Sequence, residues 1–147
     1  GSMKRMVRDI REASFADDGA FPIIAMASSS FEFFSDTDRD DSIERIRYEV
    51  DGDTLLRVET PATGTPPVYE SQWAATTTAA TFVRNWTVNS AVFRYYYEDG
   101  TEITNLADVT GLAFVDVSMV VNINPNTLPT DFTLQSSATL RNLKTNL

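Results

Sequence analysis

Residues 43–60 read "IERIRYEVDGDTLLRVET", and this stretch decides the fold. Ile46, Tyr48 and Val50 alternate with Arg45, Arg47 and Glu49, the two-residue period of a half-buried strand. Asp51-Gly52 supplies a turn pair and "TLLRVET" runs back, so the stretch is a β-hairpin. The same alternation recurs on both sides of it. Upstream, "SSSFEFF" (28–34) puts Phe31 and Phe33 on one face. Downstream, "SAVFRYYYEDG" (90–100) sets Phe93, Tyr95 and Tyr97 against Val92, Arg94 and Tyr96 before a turn at Asp99-Gly100. "FVDVSMVVNI" (114–123) sets Val115, Val117, Met119, Val121 and Ile123 against Asp116, Ser118 and Asn122. "FTLQSSATLRNL" (132–143) alternates through Phe132, Leu134, Ala138 and Leu140.

The N-terminus has a different period. In "MKRMVRDIREASFA" (3–16), Met3, Met6, Val7, Ile10 and Ala13 or Ser14 recur at helical spacing. Lys4, Arg5, Arg8, Asp9, Arg11 and Glu12 cover the rest, and Asp17-Asp18-Gly19 stops the pattern. Residues 60–80, rich in Thr, Pro and Ala, read mainly as a surface loop. One amphipathic helix packed on about six antiparallel strands is an α+β domain. Gly1-Ser2 reads as an expression scar. Residues 3–147 then form a single domain, with helix over 3–16 and a β-rich head over 20–147.

Composition removes several functions. The 147 residues carry 12 basic and 21 acidic side chains, a net charge of −9, and that field repels nucleic acid. Neither cysteine nor histidine occurs, so disulfides, Ser-His-Asp and Cys-His nucleophiles and His- or Cys-held metals are all excluded. The six glycines are scattered singly and form no phosphate loop. No catalytic residue and no cofactor is expected.

The aspartates of "SDTDRDD" (35–41) tempt a calcium reading. Asp36, Asp38 and Asp40 occupy the first, third and fifth places of an EF-hand-like loop. Asp41 stands where that loop needs Gly, and Arg47 where it needs a bidentate Glu. The stretch therefore reads as a solvated turn between strands, without a metal. The run Tyr95-Tyr96-Tyr97 reads as strand packing, because neighbours point to opposite faces.

The order of these features resembles the type IV pilin-like proteins. It runs from a helix ending "RDIREAS", through "FEFFSDTDRDDSIERIRYEVDGDTLLRV", "VFRYYYEDGTEI" and "VSMVVNI", to a terminal "TLRNL". Minor pilins of the W type and the minor pseudopilin J of type II secretion are the most similar. The resemblance implies a prepilin leader and an apolar upstream helix that have been removed, leaving a pilin-like soluble head. It implies an assembly subunit of a pilus or secretion pseudopilus, anchored in the inner membrane with its head in the periplasm or on the cell surface. Its partners would be other minor pilins or pseudopilins, contacted through Met3, Met6, Val7 and Ile10, and the isolated domain would be a monomer. The competing reading is an extracellular β-rich adhesin or binding module without filament assembly. An enzyme ranks third.

Overall fold

The computed structural model describes residues 2–38, 42–122, 131–141 and 143. It begins with helix α1 (Ser2–Arg11), and every strand that follows pairs antiparallel. A five-stranded sheet runs β1 (Ile23–Met26), β2 (Ser30–Ser35), β3 (Glu44–Asp51), β4 (Thr54–Thr60) and β7 (Ala75–Ala80). A ribbon of β5 (Ala62–Thr63) and β6 (Val68–Tyr69) sits within the connection from β4 to β7. A three-stranded sheet runs β10 (Phe132–Thr139), β9 (Phe114–Val121) and β8 (Phe93–Tyr96).

The two larger sheets and the helix share one core. Ile46 and Tyr48 of β3, Leu55 of β4 and Phe31 and Phe33 of β2 are buried with Phe93, Tyr95, Val115, Val117 and Met119 of the smaller sheet. The ring of Phe31 lies 6.1 Å from that of Phe93 and 5.3 Å from that of Tyr95, joining the sheets. Tyr95 also donates its hydroxyl to the Ala27 carbonyl at 2.7 Å, fastening the end of β1. Helix α1 rests on β10 and reaches β2 and β7.

The quoted hairpin forms with Tyr48 opposite Arg57 and Asp51 opposite Thr54, around Gly52 at φ 62°. That left-handed backbone suits glycine, and Asp53 completes the turn. On β9 the expected face holds: Val115, Val117, Met119 and Val121 are all buried, with Asp116 half-buried. Ser118 and Val120 are buried as well, so both faces of this strand are covered. Ile123 lies outside the described residues.

The expected α+β class is corrected. Strands hold 45% and helical turns of all kinds 12%, so the described residues form a β-rich domain, with three sheets and one short α-helix, that is not α+β pilin-like. The helix stops at Arg11 because Ala13 and Ser14 turn away to bond β2, through an Ala13–Ser35 bridge and the Ser14 N–H on the Phe34 carbonyl at 3.0 Å. The strand count rises because β1 and β7 carry no strict apolar alternation. Strand β7 (Ala75–Ala80) is mostly exposed, and its small and threonine side chains read as loop until β4 supplies a partner. Phe132 and Leu134 on β10 are exposed, whereas Ala138 and Leu140 are buried.

Candidate functional site

The residues expected to face other subunits lie mostly inside the chain's own core. Met6 and Ile10 are fully buried, Val7 is buried, and Met3 is half-buried against the same cluster. Burying three such side chains contributes roughly 1.5–3 kcal/mol each. A ten-residue helix is marginal alone, so this packing is what makes α1 form. The opposite face carries Lys4, Arg5, Arg8 and Arg11, all exposed. Arg8 and Arg11 stand in the last turn, where cations complement the helix dipole.

Between these faces sits a feature that the apolar pattern conceals. Asp9 is fully buried, and its Oδ2 accepts the Tyr48 hydroxyl at 2.6 Å and the Arg57 Nε–H at 2.9 Å. The β3–β4 register places Tyr48 directly opposite Arg57, which brings both side chains to the face that receives the helix. Arg57 is itself only 3% exposed, and its Nη1 lies 3.5 Å from Glu59 at the edge. The Asp9 carbonyl accepts the buried Ser35 hydroxyl at 2.6 Å, so one residue ties α1 to β2, β3 and β4. Burial most strongly pushes the Tyr48 phenol far above its usual range, and the Asp9 carboxylate reinforces this. For Arg57, burial is the largest effect and pulls downward. The charge and hydrogen bond of Asp9, with Tyr48 and Glu59, outweigh it and hold the guanidinium above its ordinary value. Asp9 Oδ1 and Arg57 Nη2 are buried without hydrogen-bond partners among the described residues.

The helical pattern puts Asp9 on the solvated side of the helix, and the strand pattern gives Arg57 no role. A signal existed for each. Asp9 is flanked by the buried Val7 and Ile10 and lies one turn from Met6, and Arg57 has the strand phase of Leu55, which is fully buried. A cation and an anion each intruding on an apolar face are a hint of a pair.

The loop between β2 and β3 brings Asp36, Asp38 and Glu44 together, with carboxylate oxygens all within 4.8 Å of one another. Glu44 is buried and accepts the Thr37 hydroxyl at 2.8 Å, while Asp36 Oδ1 is buried without a hydrogen-bond partner among the described residues. Glu44 lies outside the aspartate run that suggests a calcium loop, and Asp40 and Asp41 lie outside the described residues. Arg47, at the place where a calcium loop needs Glu, turns to Glu32 and Glu49 at 3.2 Å each. Three oxygen donors are a set that a hard cation accepts, and without a cation they repel one another.

The tyrosine run divides as a strand requires. Tyr95 is buried, Tyr96 stacks on Phe114 at 4.9 Å, and Tyr97 donates to Asp108 Oδ2 at 2.8 Å. Among the described residues no helix is long and apolar enough to cross a membrane. No family model and no curated protein matches the chain.

Proposed function

We propose that the protein is a structural subunit of an envelope filament, a minor pilin or pseudopilin acting in a pilus or a type II secretion machine. It is not an enzyme; its work is assembly with other minor subunits. The observation that carries this reading is the Asp9–Arg57–Tyr48 clamp. A subunit whose head must keep a fixed attitude on a shared axis needs its helix joined rigidly to that head. A buried, directional ion pair fixes helix register in a way that sliding apolar contacts do not. The order of sequence motifs from "RDIREAS" to "TLRNL" supports the same class.

Because Met6, Val7 and Ile10 are enclosed, contact with neighbouring subunits falls to Met3 and to the cationic face of Lys4, Arg5, Arg8 and Arg11. The remaining surface is strongly acidic, since those four cations belong to a chain of net charge −9. Opposite charge between copies or partner subunits steers such a contact. The test is Arg5→Glu with Arg8→Glu in the protein expressed in its native cell. Filaments or secreted cargo should fall sharply while the amount and melting temperature of the protein stay normal. Normal assembly at normal protein level would sink the reading.

A further inference from the structure

On a different edge of the molecule, the turn of β3–β4 meets a 3-10 turn, Asn85–Val88, and holds an exposed tryptophan in a fixed pose. Trp86 is 61% exposed, which is unusual for the largest apolar side chain. It is nevertheless immobilised. Its indole N–H donates to Asp53 Oδ1 at 2.8 Å, and the Arg84 guanidinium lies over the ring, 4.8 Å from its centroid. Arg84 is held in turn by Asp53 Oδ2 at 2.9 Å. The backbone beneath is equally fixed. Val83 N–H donates to the Asp53 carbonyl and Arg84 N–H to the Val120 carbonyl, at 2.8 and 2.7 Å. Asn85 spends its side chain on Ser118 and Val120 of β9. The segment carries strain: Phe82 has φ 59° and Asn89 has φ 52°, and for a bulky residue such as Phe82 this conformation is a true outlier.

Trp86 stands on the wall of a recess of about 290 Å³. Its polar lining is neutral: Ser28, Ser29, Asn89 and Ser90 contribute hydroxyls and an amide, and none of the lining residues is charged. Among the described residues, those four side chains make no hydrogen bond within the protein. In a chain where 22% of residues are charged, an uncharged recess is a selective feature. Its lining carries no charge, and the Arg84 and Asp53 that hold the ring are paired with each other. It offers an aromatic ring beside several two-way hydrogen-bonding groups.

From this we infer that Trp86 and the recess bounded by Ser28, Ser29, Asn89 and Ser90 form a binding site for a neutral carbohydrate. A pyranose has an apolar face of C–H bonds that stacks on an indole ring and a rim of hydroxyls that pair with Ser and Asn. The volume suits one or two sugar units, being near the lower end of small-ligand sites. Holding the ring in advance with Asp53 and Arg84 removes part of the ordering cost of binding. Phe82 and Val88, close to Trp86 in sequence, are exposed as well.

The site is independent of the assembly reading, and it is tested on the isolated chain in solution. Nitrogen-15 spectra report the Trp86 indole N–H and the Asn89 amide while an N-acetylglucosamine tetramer, cellotetraose or maltotetraose is titrated to millimolar concentration. At least one of these should shift both signals saturably. Trp86→Ala, at an exposed position, should keep the melting temperature within a few degrees and weaken binding about tenfold or more. Asn89→Ala should weaken it less, and Trp73→Phe, at a ring that lies under Arg45 and outside the recess lining, should leave it unchanged. Three results would overturn the inference: no shift with any of the sugars, shifts that survive in Trp86→Ala, or shifts produced by a proline-rich peptide and by none of the sugars.

Discussion

Replacing Arg57 with Met tests whether the helix is held by a charge pair or by its apolar stripe. The change keeps side-chain length and removes the cation from Asp9, which has no exposed surface through which water can replace it. The Tyr48 hydroxyl would remain as the one group bonding Asp9 Oδ2. Breaking a buried pair from one side costs about 3–5 kcal/mol, against a total stability on the order of 5–15 kcal/mol. With a urea slope of about 1–3 kcal/mol/M, the midpoint should fall by roughly 1–5 M, or about 2 M at the middle of both ranges. The companion variant is Asp9→Leu with Arg57→Met and Tyr48→Phe, which removes both charges and the hydroxyl that would otherwise be stranded. Replacing a whole buried ionic group by apolar residues is often neutral or stabilising, so the triple variant should recover most of the loss. The assay is equilibrium urea unfolding followed by far-ultraviolet circular dichroism. A loss below about 1 kcal/mol for Arg57→Met, or a triple variant no more stable than the single one, would refute the clamp.

Other outcomes follow from particular residues. Asp36→Asn should stabilise the chain by about 0.5–1 kcal/mol in chelator, because it removes one of three crowded like charges; destabilisation, together with a rise in melting temperature on adding calcium to wild type, would show instead that a cation belongs there. Hydrogen bonding from the Trp86 indole, then from Arg84, holds the Asp53 carboxyl below its ordinary value. Its share of stability is therefore present above the unfolded carboxylate pKa and lost as pH falls through the lower folded one. Trp86→Phe should weaken that acid dependence, as read from urea midpoints between neutral and strongly acidic pH. At the other extreme, burial, with Asp17, Asp18 and Glu44 nearby, pushes the Tyr69 phenol up to about 12. Stability should hold below about pH 10, where unfolded tyrosine ionises, and decline from there as pH rises towards the folded value. Tyr69→Phe should flatten part of that decline. Gly52→Ala has open space for its methyl group but must adopt φ 62°, so it should cost about 1–2 kcal/mol by thermal melting.

What the sequence made legible was whatever one strand or one helix states about itself. The hairpin at 43–60 and the buried face of β9 are local alternations, and both appear in the expected register. Strand β7 was not legible because its sequence, ATTTAA, has no apolar side to declare and its partner β4 lies beyond an intervening ribbon. The acid cluster was visible only in part. Asp36 and Asp38 are near neighbours in sequence, but Glu44 reaches them from the start of β3, and the five residues between Asp38 and Glu44 hide that meeting. The Trp86 recess draws on the β1–β2 connection, the end of β3 and the 3-10 turn, so no window of sequence contains it.

The clamp shows why the helix needed more than its apolar stripe. Met6, Val7 and Ile10 drive α1 onto the sheets, yet an apolar stripe tolerates small rotations and shifts of register at little cost. Asp9 does not, because a displaced carboxylate would be left in the core without Arg57 and Tyr48. The Ser35 hydroxyl on the Asp9 carbonyl adds a second fixed point on β2. The apolar residues therefore supply most of the affinity between helix and head, and the ionic triad selects one arrangement of the two. It also sets the outward side of the helix: with the stripe and Asp9 turned inward, Met3 in part and the cations Lys4, Arg5, Arg8 and Arg11 face outward.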